Sequence, residues 1–222
     1  QTLASRGEEC YAGGAAVELK GTTARVGVRN RGAVGVYTKS GGSWQFVQEL
    51  VSADVPYTGA FGRSVAISGN LAIIGASSTT VNGSSLAGAA YIFEYQNGSW
   101  EQVDKLASND LSTSDQFGWD VDITSSYAVA TAPGNDFNTG SAYIFKFDDW
   151  TGSWEETNEI AGIGGDAVAI AANLGVVAIG DKDRFPDGKT YIYRVTSFGT
   201  VSAETELVPA NQYETVNVGQ DL

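Results

Sequence analysis

Few residues in this chain have types and spacings that could do chemistry. Asp120 and Asp122 flank Val121, so on an extended chain they share one face. A carboxylate pair so placed can divide general acid and general base work. There is no His in the chain, and no positioned nucleophile is recognisable, so no catalytic constellation forms and an enzyme is not expected. Asp181, Asp183 and Asp187 stand at alternate or near-alternate spacing ahead of Gly188. Three carboxylates in that arrangement can converge on one hard cation such as calcium, while Lys182 and Arg184 in the same loop can neutralise them and leave a solvated turn. No other cofactor is suggested. Trp44, Trp100 and Trp154, each preceded by Ser, can be read as a sugar-stacking set or as packing residues. Asn82-Gly83-Ser84 and Asn97-Gly98-Ser99 fit the acceptor pattern for N-glycosylation.

Composition narrows the partners. The formal net charge of −13 argues against nucleic acid, whose phosphates require clustered Lys and Arg, and against a bare anionic membrane. No run of about 18 apolar residues is present, so no direct membrane insertion is expected. At 42% hydrophobic residues the chain can build a core rather than remain a disordered tail. Cys10 is the single cysteine and cannot close an internal disulfide; it is a small buried residue or pairs outside this sequence.

The elements that must position these residues emerge from internal repetition. Gly88-Ala89-Ala90-Tyr91-Ile92-Phe93 recurs as Gly140-Ser141-Ala142-Tyr143-Ile144-Phe145 and as Gly188-Lys189-Thr190-Tyr191-Ile192-Tyr193, with a weaker copy at Gly32-Ala33-Val34-Gly35-Val36-Tyr37. The leading glycines are 56, 52 and 48 residues apart. Each copy is followed by a second shared element, Ser43-Trp44 to Leu50, Ser99-Trp100 to Leu106 and Ser153-Trp154 to Ile160, with Val201 in the Trp place of the fourth. Asn97-Gly98 between two alternating runs is a strong hairpin signal. Two short apolar runs precede each copy, such as Val65–Ile67 and Leu71–Ile74. The period is two throughout, so the fold class is all-β, with four strands per unit. The repeats cover about 11–59, 60–115, 116–162 and 163–209, and 210–222 opens a further one. A lone four-stranded sheet cannot bury both faces, and radial stacking of such units makes a β-propeller.

In this order the elements resemble the FG-GAP repeat, the blade unit of integrin α-subunit propellers and of many secreted and cell-surface proteins. The Phe-Gly element stands as Phe61-Gly62 and Phe117-Gly118, and is replaced by Gly164-Gly165 and Gly13-Gly14 in the other copies. Gly75-Ala76-Ser77 and Thr131-Ala132-Pro133 occupy the Gly-Ala-Pro place. The resemblance implies a non-catalytic extracellular or cell-surface module for adhesion or structure, binding a protein partner or neighbouring subunits through face loops. A lectin-like propeller binding glycans is the alternative, and a hydrolase a lesser one. It also implies calcium in a loop between the first two strands, but that place holds Ser68-Gly69-Asn70, Thr124-Ser125-Ser126 and Ala171-Ala172-Asn173, without the acidic set. The Asp181 loop lies one connection later. Family propellers usually have seven blades. Because the chain lacks Met and Leu222 falls within a repeat, an incomplete ring is expected, with a small four-bladed ring as the alternative.

Overall fold

The computed structural model describes residues 16–28, 32–56, 58–171, 175–182, 188–196 and 200–207. Cys10, Asp183 and Asp187 lie outside them. The described chain forms four antiparallel sheets of four strands, each in plain sequence order. Blade 1 is β1 (Ala16–Lys20), β2 (Thr23–Val28), β3 (Ala33–Ser40) and β4 (Ser43–Leu50). Blade 2 is β5 (Phe61–Ser68), β6 (Leu71–Ala76), β7 (Ala89–Gln96) and β8 (Ser99–Leu106). Blade 3 is β9 (Val121–Ile123), β10 (Tyr127–Ala132), β11 (Ser141–Asp148) and β12 (Ser153–Ala161). Blade 4 is β13 (Ala167–Ala171), β14 (Val176–Asp181), β15 (Lys189–Val195) and β16 (Val201–Leu207). The first strands pack one on the next, β1 on β5, β5 on β9 and β9 on β13, which is the inner wall of a propeller-like array.

The Tyr-Ile-Phe run explains why the blades stack. Strand side chains alternate between faces, and this run is apolar on both. Tyr91 and Phe93 enter the core shared with Val34, Val36 and Leu50 of blade 1, whereas Ala90 and Ile92 enter the core shared with Phe117 and Tyr143 of blade 3. Tyr143 and Phe145 repeat the first role, and Ala142 and Ile144 face blade 4. The Phe of each Phe-Gly element completes an aromatic group: Phe61 lies 5.6 Å from Tyr91 and 6.1 Å from Phe93, and Phe117 lies 5.4 Å from Tyr143 and 6.0 Å from Phe145. Blade 4 has Gly164 in that place. On its far side Leu207 is 52% exposed, where the equivalent Leu106 and Ile160 are 2% and 8% exposed.

The joints between blades are main chain against main chain. Gly88 bridges Phe117 in parallel, and Phe117 N–H donates to Ala87 O at 2.8 Å. One joint later, Gly162 N–H donates to Gly140 O at 2.7 Å and Gly164 N–H to Thr139 O at 2.8 Å. A Cβ on Gly88 or Gly140 would overlap the carbonyl oxygen of Phe117 or Gly164, so the leading glycines of blades 2 and 3 are required by close approach. The loop into blade 2 is tied by Asp54, which accepts from Tyr91 Oη at 3.2 Å and Lys105 Nζ at 2.5 Å; Asp110 accepts from Tyr143 Oη at 3.2 Å in blade 3.

Each blade carries a bulge between its third and fourth strands, at Val36/Tyr37, Ile92/Phe93, Ile144/Phe145 and Ile192/Tyr193. Val47, Val103 and Thr157 are the extra residues on the outer strands of blades 1 to 3, as the register pairs the residues on either side of them. A bulge twists an edge strand and blunts it against edge-to-edge pairing.

Candidate functional site

Asp120 and Asp122 do share a face, and they point across the joint to blade 4. Asp120 Oδ2 accepts Val168 N–H at 2.7 Å, and Asp122 Oδ2 accepts Ile170 N–H at 2.7 Å. The two carboxylates bind the main chain of the neighbouring inner strand. Burial pushes the Asp120 carboxyl up to about 6, against the opposing pull of the Val168 and Val121 N–H groups. Beside it, the Arg63 guanidinium stacks 3.5 Å from the centre of the Trp119 ring. Arg63 and Trp119 each follow a Phe-Gly element and so occupy one repeat position in adjacent blades.

The repeated tryptophans are packing residues in blades 2 and 3. Trp100 and Trp154 are each 8% exposed and belong to the inter-blade cores; Trp44 is half-buried. Trp100 lies 5.3 Å from Tyr95, and Trp154 lies 5.5 Å from Phe147. Their backbones are latched from the preceding blade. Gln48 holds Trp100 N–H and C=O, and Asp104 Oδ2 accepts Trp154 N–H at 3.0 Å.

The tryptophan that is open is Trp150, 92% exposed, which sequence reasoning passed over. It sits in the link between β11 and β12. The corresponding links are Gly41-Gly42 and Asn97-Gly98, two-residue turns with positive φ at both positions. In blade 3 the link is lengthened to 149–152, and that departure from the repeat is the signal that could have found it. The lengthened hairpin forms one wall of a groove of about 410 Å³ between blades 2 and 3. Glu94 and Asp104 stand on the blade 2 side, and Phe147, Asp149 and Trp154 on the blade 3 side. A second hollow of about 560 Å³ shares Phe147 and Asp149 and is bounded by Trp150 and Lys146.

Asn82 and Asn97 are both exposed, and both take the first position of a positive-φ turn with a following Gly. Asp181 ends β14 and is buried, with its carboxyl against Gly164. Among the described residues, no group of three His, Cys, Asp or Glu side chains is placed to hold a metal ion, and no helix is long and apolar enough to cross a membrane.

Comparison with solved structures supports the propeller-like architecture. A candidate 6-phosphogluconolactonase from Bacteroides uniformis superposes with a TM-score of 0.61 at 13% identity, over 85% of this chain and 52% of that one. A protein from Lactobacillus plantarum superposes with a TM-score of 0.57 at 10% identity, over 84% and 54%. The chain thus spans about half the length of these structures, and at such identity the likeness shows the fold alone. No curated protein matches the chain. Residues 44–93 and 100–145 match the FG-GAP repeat. Each match runs from a Trp strand through the next Phe-Gly element to the following Tyr-Ile-Phe strand, so these two stretches of the chain carry the FG-GAP repeat.

Proposed function

We propose that this protein is a non-catalytic, extracellular interaction module that binds a protein partner through loops at the ends of its sheets, with Trp150 as the anchor. The observation that carries this reading is the 92% exposure of Trp150 on the blade 3 hairpin, which is lengthened beyond the two-residue turns of blades 1 and 2. An open Trp on a rigid scaffold is the residue type that most often dominates an interface. The engagement of Asp120 and Asp122 with backbone N–H groups supports a non-catalytic role. The exposed Asn82 and Asn97 turns fit passage through the secretory pathway, where either can be glycosylated. A sugar-stacking role for the repeated tryptophans is disfavoured, because Trp100 and Trp154 keep only 8% of their surface open.

The test compares the wild-type chain with Trp150→Ala as immobilised bait against extracellular proteins from the source organism. A partner retained by the wild type and lost by the variant, with thermal stability unchanged, supports the reading. Identical captured sets from both proteins overturn it.

A further inference from the structure

The groove beside Trp150 has a one-sided chemistry. Glu94, Asp104 and Asp149 line it, and no Lys or Arg does. Its two side-chain amides are already donating: Asn70 Nδ2 to Glu94 at 2.8 Å and Gln96 Nε2 to Glu101 at 3.2 Å. What remains for a ligand is chiefly carboxylate oxygen, since each carboxylate offers about four lone-pair sites and these are only partly used. A sugar hydroxyl can donate to these oxygens too, but its own oxygen is then left to the few remaining donors of the lining. A guanidinium or ammonium group only donates, and so matches the wall. The half-buried Phe147 in the lining offers π surface of the kind that attracts cations. The volume of about 410 Å³ lies in the range of small-ligand pockets, about 300–1,000 Å³. The adjoining hollow at Phe147 and Asp149 gives room for the chain that carries such a group. The net charge of −13 steers basic partners towards this protein.

We propose that the groove between blades 2 and 3 is the receptor for an Arg or Lys side chain of an extended segment of the protein partner, with the cation among Glu94, Asp104 and Asp149 and its stem against Phe147. This deepens the interaction-module reading and rests on it.

The experiment is a titration of the full chain, labelled with ¹⁵N at its five tryptophan indoles. The probes are N-acetyl-arginine amide and the neutral isostere N-acetyl-citrulline amide. Arginine is expected to shift the Trp150 and Trp154 resonances saturably, while citrulline leaves them in place. At about 1 M NaCl, where the Debye length is about 3 Å, the response should shrink. Asp149→Asn, at an exposed position, should weaken the arginine response roughly threefold, in line with exposed charge pairs. Its other indole resonances report whether it is folded. Equal response to citrulline, an unchanged titration in Asp149→Asn, or a matching response to methyl glycosides overturns the proposal. If partner capture still depends on Trp150 in that case, the interaction-module reading stands and only the groove assignment fails. If arginine binds selectively but no partner is captured, the reading fails instead.

Discussion

Gln48 on β4 grips the main chain of Trp100 on β8, 52 residues away: its Oε1 accepts Trp100 N–H at 2.9 Å, and its Nε2 donates to Trp100 O at 2.8 Å. Asp104 holds Trp154 N–H in the next blade from the same repeat position. Removing the amide leaves two partly buried backbone groups without their partner. Gln48→Ala should therefore lose about 1–3 kcal/mol of stability, measured by urea unfolding. A loss within error of zero would mean that water replaces the amide at no cost.

Asp120 should give the protein a distinctive acid-side profile. Its carboxyl sits at about 6 in the folded protein against an ordinary 3.8, so the folded state holds this proton more tightly than the unfolded chain. The contribution of Asp120 to stability then falls as pH rises from about 4 to about 6 and is constant above that. Asn keeps an oxygen for the Val168 N–H but does not titrate. The stability of the wild type relative to Asp120→Asn should fall by on the order of 2 kcal/mol between about pH 4 and pH 7. A pH-independent difference would place the folded value at the ordinary one.

Arg63 and Trp119 couple blades 2 and 3 through the 3.5 Å stack. A double-mutant cycle with Arg63→Ala and Trp119→Ala should yield a coupling energy of about 0.5–2 kcal/mol. Additive single effects would show that the stack contributes no stability of its own.

Two glycines with nearly the same φ should respond differently to the same change. Gly98 has φ 90° and open space around an added Cβ, whereas Gly88 has φ 87° and the Phe117 backbone in the way. Gly98→Ala should lose about 1–2 kcal/mol, the cost of a left-handed residue alone. Gly88→Ala should lose considerably more, or leave the joint unformed, as read by thermal melting. Equal losses would mean that the blades can part without cost.

Much of this architecture was legible beforehand, for identifiable reasons. The Tyr91-Ile92-Phe93 run must be apolar on both faces to serve two cores, and this leaves a visible word in the sequence. Asn97-Gly98 marks its turn because both residues carry positive φ. The Gln48 latch left no such trace, because its partner is main chain and any residue but proline at position 100 would supply it. The bulges were hidden too: Val103 and Thr157 look like ordinary strand residues, and no glycine flags the extra position. The carboxylates of Asp120 and Asp122 were legible as a pair on one face, but their use was not, since the acceptor chemistry that suits catalysis equally suits a neighbouring strand.

The glycine joints have a consequence for how such a chain can arise. At Gly88 and Gly140 one blade meets the next through backbone alone, so blades 2, 3 and 4 share a standard fitting that does not depend on the neighbour's side chains. A duplication that copies a whole unit copies its fitting as well, and the new blade can join at once. Loop lengths can then vary, as they do across the 56, 52 and 48 spacings, and Gly164 can stand in the place of Phe, while the fitting persists. An insertion of a single residue at the fitting has no such freedom.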